Sequence, residues 1–277
     1  MGVPLAPPLG NAASALQRAR GEGRVIATTR EGRTELSSLY QEGCAKIRLP
    51  HTHSDGLQAV LMNTAGGLTG GDYIRWSATA KAGAKLTLTT PACERVYRSI
   101  GGDAVVENRL AAEAGAHLDW LPQETILFED ARLDRTLDVD LAEGATLTAV
   151  EAVLLGREAM GEGAWRARLR DNWRIRRDGR LMHAEATLLS ADPRERAASS
   201  LLDGALAFAT VLHVSPGAER KLDAVRALLP ATGGASVVGE RLTVRLLAAS
   251  GLALRRSLSP IIALLSNAGA LPRLWTL

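Results

Sequence analysis

The segment Gly83–Thr90, GAKLTLTT, contains the pattern that decides the fold. A glycine turn is followed by a short run in which strand-forming residues alternate. The same pattern returns as GAHL at Gly115–Leu118 and as GATL at Gly144–Leu147, so the copies lie roughly thirty residues apart. A strand-turn unit of this length predicts layers of β-structure stacked along one axis, in which each layer buries its apolar face on the next. The alternative is a chance recurrence in a chain rich in alanine and glycine.

The chain around these copies has the same strand-like character from about Arg24 to Ser190. RVIATTREGRTEL, which begins at Arg24, alternates around a glycine turn, and RDGR at Arg177–Arg180 places Asp-Gly between two strand-like runs. Asp-Gly in that position is a strong hairpin signal. No linker rich in proline or serine divides the region, so we predict one β-rich domain over residues 23–277, preceded by a loose tail over residues 1–22.

The sequence changes character after Asp192-Pro193. RERAASSLLDGALAFATVLHV and GAERKLDAVRALLP have apolar residues at helical spacing, whereas VVGERLTVRLLA returns to the strand pattern. We predict helical segments over about 194–229 and 252–270. The predicted fold class is therefore mainly β: an elongated body of stacked or helical β-sheet, with two or three α-helices towards the C-terminus.

Composition and charge exclude several classes of protein. The 277 residues are enough for a sizeable buried core, and because aromatic residues make up only 4%, that core must be mostly aliphatic. The formal charge of +3 does not demand a nucleic acid or another acidic partner. Cys44 and Cys93 form no disulfide framework, no signal peptide is recognisable, and the most apolar run, Leu201–Val214, is shorter than the ~20 residues of a membrane span. These features predict a soluble cytoplasmic protein without a membrane segment.

The segment NTAGGLTGGD at Asn63–Asp72 has the glycine density of a phosphate-binding loop but not its spacing. It does not match the dinucleotide fingerprint, and in a Walker A loop Asp72 would stand where the phosphate-binding lysine belongs. We therefore interpret the glycines as positions of positive φ or of close backbone approach. Asp72 either caps the turn or points into a polar passage. The glycines concerned are Gly66, Gly67, Gly70 and Gly71.

Three glutamates stand in otherwise apolar stretches: Glu94 in TTPACERVYRS, and Glu124 and Glu129 in WLPQETILFED. A buried carboxylate is costly unless it is paired or hydrated. The two interpretations are ion pairs with nearby arginines and a pair of catalytic carboxylates, which would need a set separation across a cleft. His51 and His53 would share one face of a strand, but no second cluster supplies further metal ligands, so a solvated pair is favoured over a zinc site.

The segment Trp165–Arg180, WRARLRDNWRIRRDGR, interleaves arginines with two tryptophans. Such a pattern is found in platforms for single-stranded nucleic acid. On a strand, however, Arg166, Arg168 and Arg170 line one face and Trp165 lies on the other, so the aromatic side faces the core. A solvated or ion-paired arginine face, or a face for an acidic protein partner, is favoured over RNA binding.

Six segments stand in order along the chain: NTAGGLTGGD, TTPACERVYRS, WLPQETILFEDARLDR, LGREAMGE, WRIRRDGRLMHAE and the closing LPRLWT. Together they resemble the successive signatures of the urease accessory protein family UreD, called UreH in some bacteria. The first five blocks lie between about Gly43 and Glu185, and the last matches the C-terminal end of the family. The sequence departs from the pattern at Cys93, where small residues such as glycine or alanine are usual, and in its N-terminal tail.

The resemblance implies a role in urease maturation without catalysis. Members of the family are described as elongated β-rich scaffolds that bind the urease apoprotein subunits on one side and UreF on the other, and UreF in turn docks the GTPase UreG. The resemblance further implies a dimer of the UreD–UreF–UreG assembly, no tightly bound cofactor, and nickel(II) in transit to the urease active site through an internal channel. Neither a nucleic acid nor a membrane is among the implied partners.

The implied channel gives the acids in apolar segments a role. Nickel(II) accepts oxygen and imidazole ligands, and a route for it requires hydrated carboxylates that hold it weakly. The candidate lining residues are Asp72, Glu94, Glu124 and Glu129. The helical C-terminal part, Arg194–Leu229 and Leu252–Leu277, is the candidate contact for UreF, because an apolar helix face suits docking in a groove.

Two other classes stay open on the residues alone. A β-solenoid enzyme, such as a polysaccharide lyase, would show longer and more regular repeats, acids clustered in one groove and a secretion signal. A nucleic-acid module built on Trp165–Arg180 would show a steep salt dependence of RNA binding.

Overall fold

The computed structural model describes residues 17–52, 54–266 and 271–276. Within them the chain forms two β-sheets that face each other across a hydrophobic core, and a helix covers the outer face of the second sheet as a third layer. The chain crosses repeatedly from one sheet to the other, so that successive strands stack like the coils of a solenoid. The predicted fold class, a mainly β body of stacked sheet, is confirmed.

The first sheet is parallel at its centre and ends in an antiparallel hairpin at each edge. The turn of one of these hairpins is the predicted Asp178-Gly179 pair, whose φ angles are 49° and 76°. The spatial order of the strands is β2 (Arg33–Gly43), β1 (Arg20–Arg30), β5 (Tyr73–Ala80), β8 (Ala104–Ala112), β11 (Arg132–Leu141), β13 (Arg168–Arg177) and β14 (Arg180–Leu189).

In the second sheet the first two strands pair antiparallel, the next three pairings are parallel and the last three are antiparallel. The strands run in the order β3 (Ala45–Arg48), β4 (Leu57–Asn63), β6 (Lys85–Thr89), β9 (His117–Leu121), β12 (Thr146–Leu155), β15 (Ala207–Val214), β17 (Arg241–Ala248) and β16 (Gly233–Val238). Two short strands, β10 (Thr125–Leu127) and β7 (Glu94–Val96), continue from β12 as a side branch.

The three sequence copies occupy equivalent places in this sheet, at the starts of β6, β9 and β12. Leu118 lies in register with Leu86 on one side and with Leu147 on the other, and all three side chains are buried. The glycines that open the copies have φ angles of 66° to 68°, which favour glycine. The predicted stacking of about thirty-residue layers is confirmed.

The helices are α1 (Pro193–Ala197), α2 (Leu222–Ala227) and α3 (Gly251–Leu265). Ser250 caps the N-terminus of α3, and its hydroxyl accepts a hydrogen bond from Ala253 N at 3.1 Å. The helix buries an apolar stripe that includes Leu254, Leu258 and Ile262 against the second sheet. None of the helices in the described residues has the length and apolar character needed to cross a membrane.

The helical prediction over 194–229 is wrong for most of its length. Only α1 and α2 are helical there, together with a 3-10 turn at Ala218–Lys221, and AFATVLHV forms strand β15. β15 pairs on both sides, with β12 and β17, and nearly all of its residues are buried. A strand buried on both faces reads as an unbroken apolar run, which periodicity cannot distinguish from a buried helix.

The predicted boundaries at the two ends also shift. β1 begins at Arg20, so the last residues assigned to a loose tail over 1–22 are part of a strand, while residues 1–16 lie outside the described part of the chain. The predicted helix over 252–270 is confirmed up to Leu265, and residues 267–270 lie outside the described part.

Candidate functional site

A cluster of buried charges lies between the two sheets. Arg135 of β11 donates to Asp171 of the adjacent β13 through Nη2 and Nε, at 2.6 and 3.2 Å. Its Nη1 lies 2.5 Å from Oε2 of Glu151, which belongs to β12 in the opposite sheet. The three side chains are at most 7% exposed. The guanidinium therefore bridges the two sheets through the interior of the protein.

A cavity of about 60 Å³ lies beside this cluster and is large enough to hold water. Glu94, Asn108 and Thr125 line it together with Arg135 and Glu151. Asn108 Nδ2 donates to a backbone carbonyl at 3.1 Å, but its Oδ1 is buried and has no hydrogen-bond partner among the described residues. Because buried acceptors are almost always satisfied, a free one beside a cavity indicates a place where a donor or a cation binds.

Glu94 brings an ionisable carboxylate to this cavity from β7. Burial raises the pKa of Glu94 to about 7, and a hydrogen bond from Asn63 Nδ2 at 3.3 Å and the charge of Arg95 offset burial only in part. Near neutral pH the carboxyl group therefore exchanges readily between its neutral and ionised forms.

Glu94→Gln is expected to stabilise the protein at alkaline pH. The pKa of Glu94 is higher in the folded than in the unfolded chain, so the wild-type protein loses stability as the pH rises from 4.5 to about 7. An amide carries no such penalty. Urea titrations at pH 4 and pH 8 give the free energy of unfolding of both proteins. Between pH 4 and pH 8, the free energy of unfolding of the variant should rise relative to that of the wild type by about 1–3 kcal/mol.

Glu113→Gln is the matched control for this measurement. Glu113 is an exposed carboxylate that pairs with Lys81 Nζ at 2.7 Å, and this pairing lowers its pKa. Its replacement should give no gain in stability at alkaline pH. The same gain in both variants would show that the effect does not come from the burial of Glu94.

Glu151 is the second perturbed carboxylate at the cavity. Burial raises the pKa of Glu151 to about 7, and the charge of Asp171 adds to this effect. Arg135 and a hydrogen bond from Trp120 Nε1 at 2.9 Å act in the opposite direction. The cavity thus has two carboxyl groups whose charge changes close to neutral pH.

A row of polar side chains leads from Glu151 to the protein surface. Thr210 of β15 lies directly opposite Glu151, and Arg245 of β17 lies opposite Thr210. Glu185, which faces them from β14 in the first sheet, accepts hydrogen bonds from Thr210 Oγ1 at 3.2 Å and from Arg245 Nη1 at 2.8 Å. The side chain of Arg245 is 61% exposed, so the row connects the interior with solvent.

Known sequences match the chain over almost its whole length. A family model described as UreD urease accessory protein matches residues 19–276. The chain belongs to the UreD family. The urease accessory protein UreD of Chelativorans sp. (strain BNC1) is 61% identical over 264 residues, which cover 95% of this chain and 95% of that protein. The UreD proteins of Agrobacterium fabrum and Rhizobium etli are 52% and 53% identical and cover 94% of this chain, and 92% and 96% of their own lengths.

The family assignment confirms the resemblance found in the sequence motifs and gives the protein an accessory role in urease maturation. The same motifs supplied four candidate residues for a UreD nickel channel. Of these four, Glu94 is the one that lines the cavity between the sheets.

Asp72 has the geometry of a cap. Its Oδ1 accepts a hydrogen bond from Ala19 N and its Oδ2 accepts one from Thr69 N, both at 2.8 Å, and the residue is buried. These bonds tie the UreD glycine block to the start of β1. Of the two interpretations of Asp72, the geometry favours the capped turn over a side chain that points into a passage.

Glu124 and Glu129 also accept hydrogen bonds from N–H groups. Glu124 accepts hydrogen bonds from Arg255 Nε and Nη2 of α3 at 2.9 and 2.7 Å. Although burial opposes it, this arginine holds the pKa of Glu124 below its usual value. Glu129 accepts from the backbone N–H groups of Trp165 and Arg166 at 2.9 and 3.0 Å. The first glutamate anchors α3 to the β-body, and the second shapes the loop before β13.

The glycine block at Asn63–Asp72 shows both features predicted for it, positive φ angles and a close approach of another backbone segment. Gly66, Gly67 and Gly71 have φ angles of 81°, 141° and 90°. A Cβ atom at Gly70 would lie 2.5 and 2.6 Å from the carbonyl oxygens of residues 101 and 102. The first three positions need glycine for its conformation, and the fourth needs it for close packing.

Gly70→Ala is expected to lower the free energy of unfolding by about 1–3 kcal/mol, because the new methyl group overlaps backbone oxygens that yield only if the loop moves. Gly101→Ala in the contacted loop is the matched control. A Cβ atom there meets nothing within 4 Å, so the loss should stay within about 0.5 kcal/mol. Equal losses in urea unfolding would refute the close approach at Gly70.

From Arg168 onwards, the arginine-rich segment has the predicted two faces, an exposed one with arginines and a buried one with an aromatic residue. β13 exposes Arg168 and Arg170 and buries Trp173 in the core. The prediction for Trp165 is wrong, because this residue precedes β13, is 46% exposed and stacks on the guanidinium of Arg196, 4.3 Å from the ring centroid. Several of the arginines pair with aspartates, namely Arg166 with Asp130, Arg170 with Asp134 and Arg176 with Asp138. An ion-paired face of this kind does not favour RNA binding.

The sequence analysis also considered the two histidines of the HTH segment, His51 and His53, as metal ligands. His51 is exposed, and His53 lies outside the described residues. Within the described part of the chain, no group of three His, Cys, Asp or Glu side chains is arranged to hold a metal ion.

Sequence reasoning missed the central charges of the cavity. Arg135 stands in RLDRTLDVDL at an inward position between Leu133 and Leu137, so strict alternation was a signal that could have placed it in the core. Glu151 interrupts the apolar run TLTAVEAVLL, and an acid in such a run was the signal used for Glu94. Asp171 carried the same alternation signal, because it lies at an inward position of β13 between Leu169 and Trp173.

Proposed function

We propose that this UreD family member is a non-enzymatic scaffold that passes nickel(II) through the space between its two sheets to apo-urease. The observation that supports the proposal is the cavity lined by Glu94, Glu151 and Asn108, whose Oδ1 has no hydrogen-bond partner among the described residues. Buried acids with strongly shifted pKa values are costly to fold, and they are concentrated at functional sites.

The donor chemistry of the cavity fits a transported nickel ion. Nickel(II) accepts carboxylate and carbonyl oxygen ligands. The carboxyl group of Glu94, with a pKa of about 7, releases its proton when the cation arrives and takes a proton back when the cation leaves. Transport requires binding that is favourable enough for entry and weak enough for exit. Nickel is thus the cargo of the scaffold, and no tightly bound cofactor is proposed.

The proposed route leads from the cavity past Glu151 to the polar row that ends at Glu185 and Arg245. Asp72, Glu124 and Glu129 are the secondary candidates for contact with the ion along other parts of the route. They rank behind Glu94 because N–H donors bond both of their oxygens, whereas Glu94 accepts one such bond, from Asn63 Nδ2 to Oε1.

The proposed partners are the urease apoprotein subunits, UreF and, through UreF, the GTPase UreG, in a cytoplasmic dimer of the UreD–UreF–UreG assembly. The C-terminal part is the proposed contact for UreF, but the apolar stripe of α3 is already buried on the second sheet. Trp275 is buried too, and its Nε1 donates to Leu121 O at 3.0 Å, so deletion of the tail would disturb the fold itself. Leu252 and Arg256, which α3 exposes, are the better positions to test.

Co-purification tests the scaffold role. The chain is co-expressed with the urease subunits and the partner proteins, and both the complex and urease activity are measured with and without it. A stable complex, with activity lost on omission, is expected. Leu252→Asp combined with Arg256→Glu should weaken the capture of UreF. Full urease activity in the absence of the chain would overturn the proposal.

The same assay tests the route. Glu94→Gln and Glu151→Gln should leave the complex intact and lower urease activation by about tenfold or more, which corresponds to about 1.4 kcal/mol. Glu113→Gln, which removes an exposed carboxylate, should have no effect. Unimpaired activation with both cavity variants would exclude the passage between the sheets, whatever the co-purification shows.

A further inference from the structure

We infer that Arg135 is an internal counter-ion that keeps the passage permeable, because it prevents Glu151 and Asp171 from capturing a divalent cation. This inference rests on the proposed function and concerns how tightly the passage holds its cargo.

The position of the guanidinium carries the inference. It lies between two carboxylates that approach from opposite sheets, 2.5 Å from Glu151 Oε2 and 2.6 Å from Asp171 Oδ2. Nη1 also donates to Thr125 Oγ1 at 3.0 Å, beside the cavity. A cation placed where the guanidinium lies would have oxygen ligands from both sheets. Asn108 Oδ1, buried without a partner, supplies a further oxygen at the cavity wall.

Charge explains why this position must stay filled. The Arg135–Glu151–Asp171 cluster carries one positive and up to two negative charges, so a passing divalent ion meets only a small net attraction. Without the arginine, two buried carboxylates would face each other where charges interact far more strongly than in water. Such a pair would bind a divalent cation tightly enough to retain it, and transport would stop. Arginine suits this task because its guanidinium does not lose its proton in a protein.

A purely structural role is the alternative, since a buried ion cluster also fixes how two sheets pack. The two roles predict different results when the arginine is removed. A structural role predicts lower stability alone, whereas the counter-ion role also predicts a new affinity for divalent cations. The affinity for nickel is therefore the measurement that separates them.

The experiment measures nickel(II) binding to the full chain, without a histidine tag, by calorimetry and by the shift of the unfolding temperature with added nickel chloride. Arg135→Gln should bind nickel at least about tenfold more tightly than the wild type and should be stabilised by it. Arg135→Lys, which keeps a positive charge, should behave like the wild type. Arg135→Gln combined with Glu151→Gln should lose the gain.

Arg170→Gln is the matched control, because Arg170 pairs with Asp134 on the outer face of the same sheet at 3.0 Å. It should show no gain in nickel affinity. A folded Arg135→Gln variant that binds nickel no better than the wild type would overturn the inference, as would an equal gain in Arg170→Gln. If Arg135→Gln does not fold alone, refolding that depends on nickel supports the inference, and failure to refold with nickel while the double variant folds overturns it.

Urease activation separates this inference from the proposed function. Unimpaired activation in Glu94→Gln and Glu151→Gln would remove the route even if Arg135→Gln gains nickel affinity. Impaired activation in those variants, without a gain in Arg135→Gln, would support the route and remove the counter-ion role.

Discussion

Trp173→Ala is expected to lower the free energy of unfolding by about 3–5 kcal/mol. Trp173 lies on β13 with 1% of its surface exposed, and it is among the largest side chains in the core between the two sheets. Truncation removes its buried apolar surface and leaves a cavity that rigid neighbouring strands cannot fill. Urea unfolding followed by circular dichroism measures the loss.

Trp165→Ala makes the same chemical change at a partly exposed site of the same segment. Trp165 loses a stacking contact with Arg196 when it is truncated, so the expected loss is about 1 kcal/mol or less. Similar losses in the two variants would contradict the division of the Trp165–Arg180 segment into a core tryptophan and a surface tryptophan.

Arg135→Gln is expected to lower the free energy of unfolding by about 3–5 kcal/mol at pH 8, because it leaves two buried carboxylates without their partner. The loss should be smaller at pH 5. The pKa of Glu151 is already raised to about 7 by burial, so this group is neutral at pH 5 and no longer requires a counter-ion. Unfolding of the variant and the wild type at both pH values measures the difference.

Arg170→Gln serves as the control at both pH values. The side chains of Arg170 and Asp134 are 60% and 27% exposed, and exposed pairs contribute about 1 kcal/mol or less. A loss in Arg135→Gln that does not change between pH 5 and pH 8 would contradict the raised pKa of Glu151.

The parts of the fold that could be predicted were those coded over short distances in the chain. Glycine turns before alternating runs identified the stacked layers, Asp178-Gly179 identified a hairpin, and the apolar stripe of α3 identified a helix. β15 was not predicted, because its unbroken apolar run is compatible with a buried helix and with a strand that has neighbours on both sides. Only the pairing with β12 and β17 distinguishes the two.

The candidate site was predictable to a smaller extent. An acid in an apolar segment was a correct signal for a buried carboxylate at Asp72 and Glu124 and for a half-buried one at Glu94. The signal did not say that N–H donors bond both oxygens of Asp72 and Glu124 but one oxygen of Glu94. Asp72 is capped by a backbone amide 53 residues away, and Glu124 is paired with Arg255, 131 residues away. Partners at such separations leave no trace in the local pattern.

The sequence by itself therefore determined the family, the stacked β-body and the glycine positions, since each depends on a local motif or on backbone conformation. The tertiary structure decided which charges meet between the sheets. Glu94, Asn108, Arg135 and Glu151 come from four different strands, and their shared cavity depends on how the strands align and how the two sheets face each other. Burial and charge pairing act between groups that are close in space, so the pKa values and the free oxygen of the site exist only after the sheets have packed.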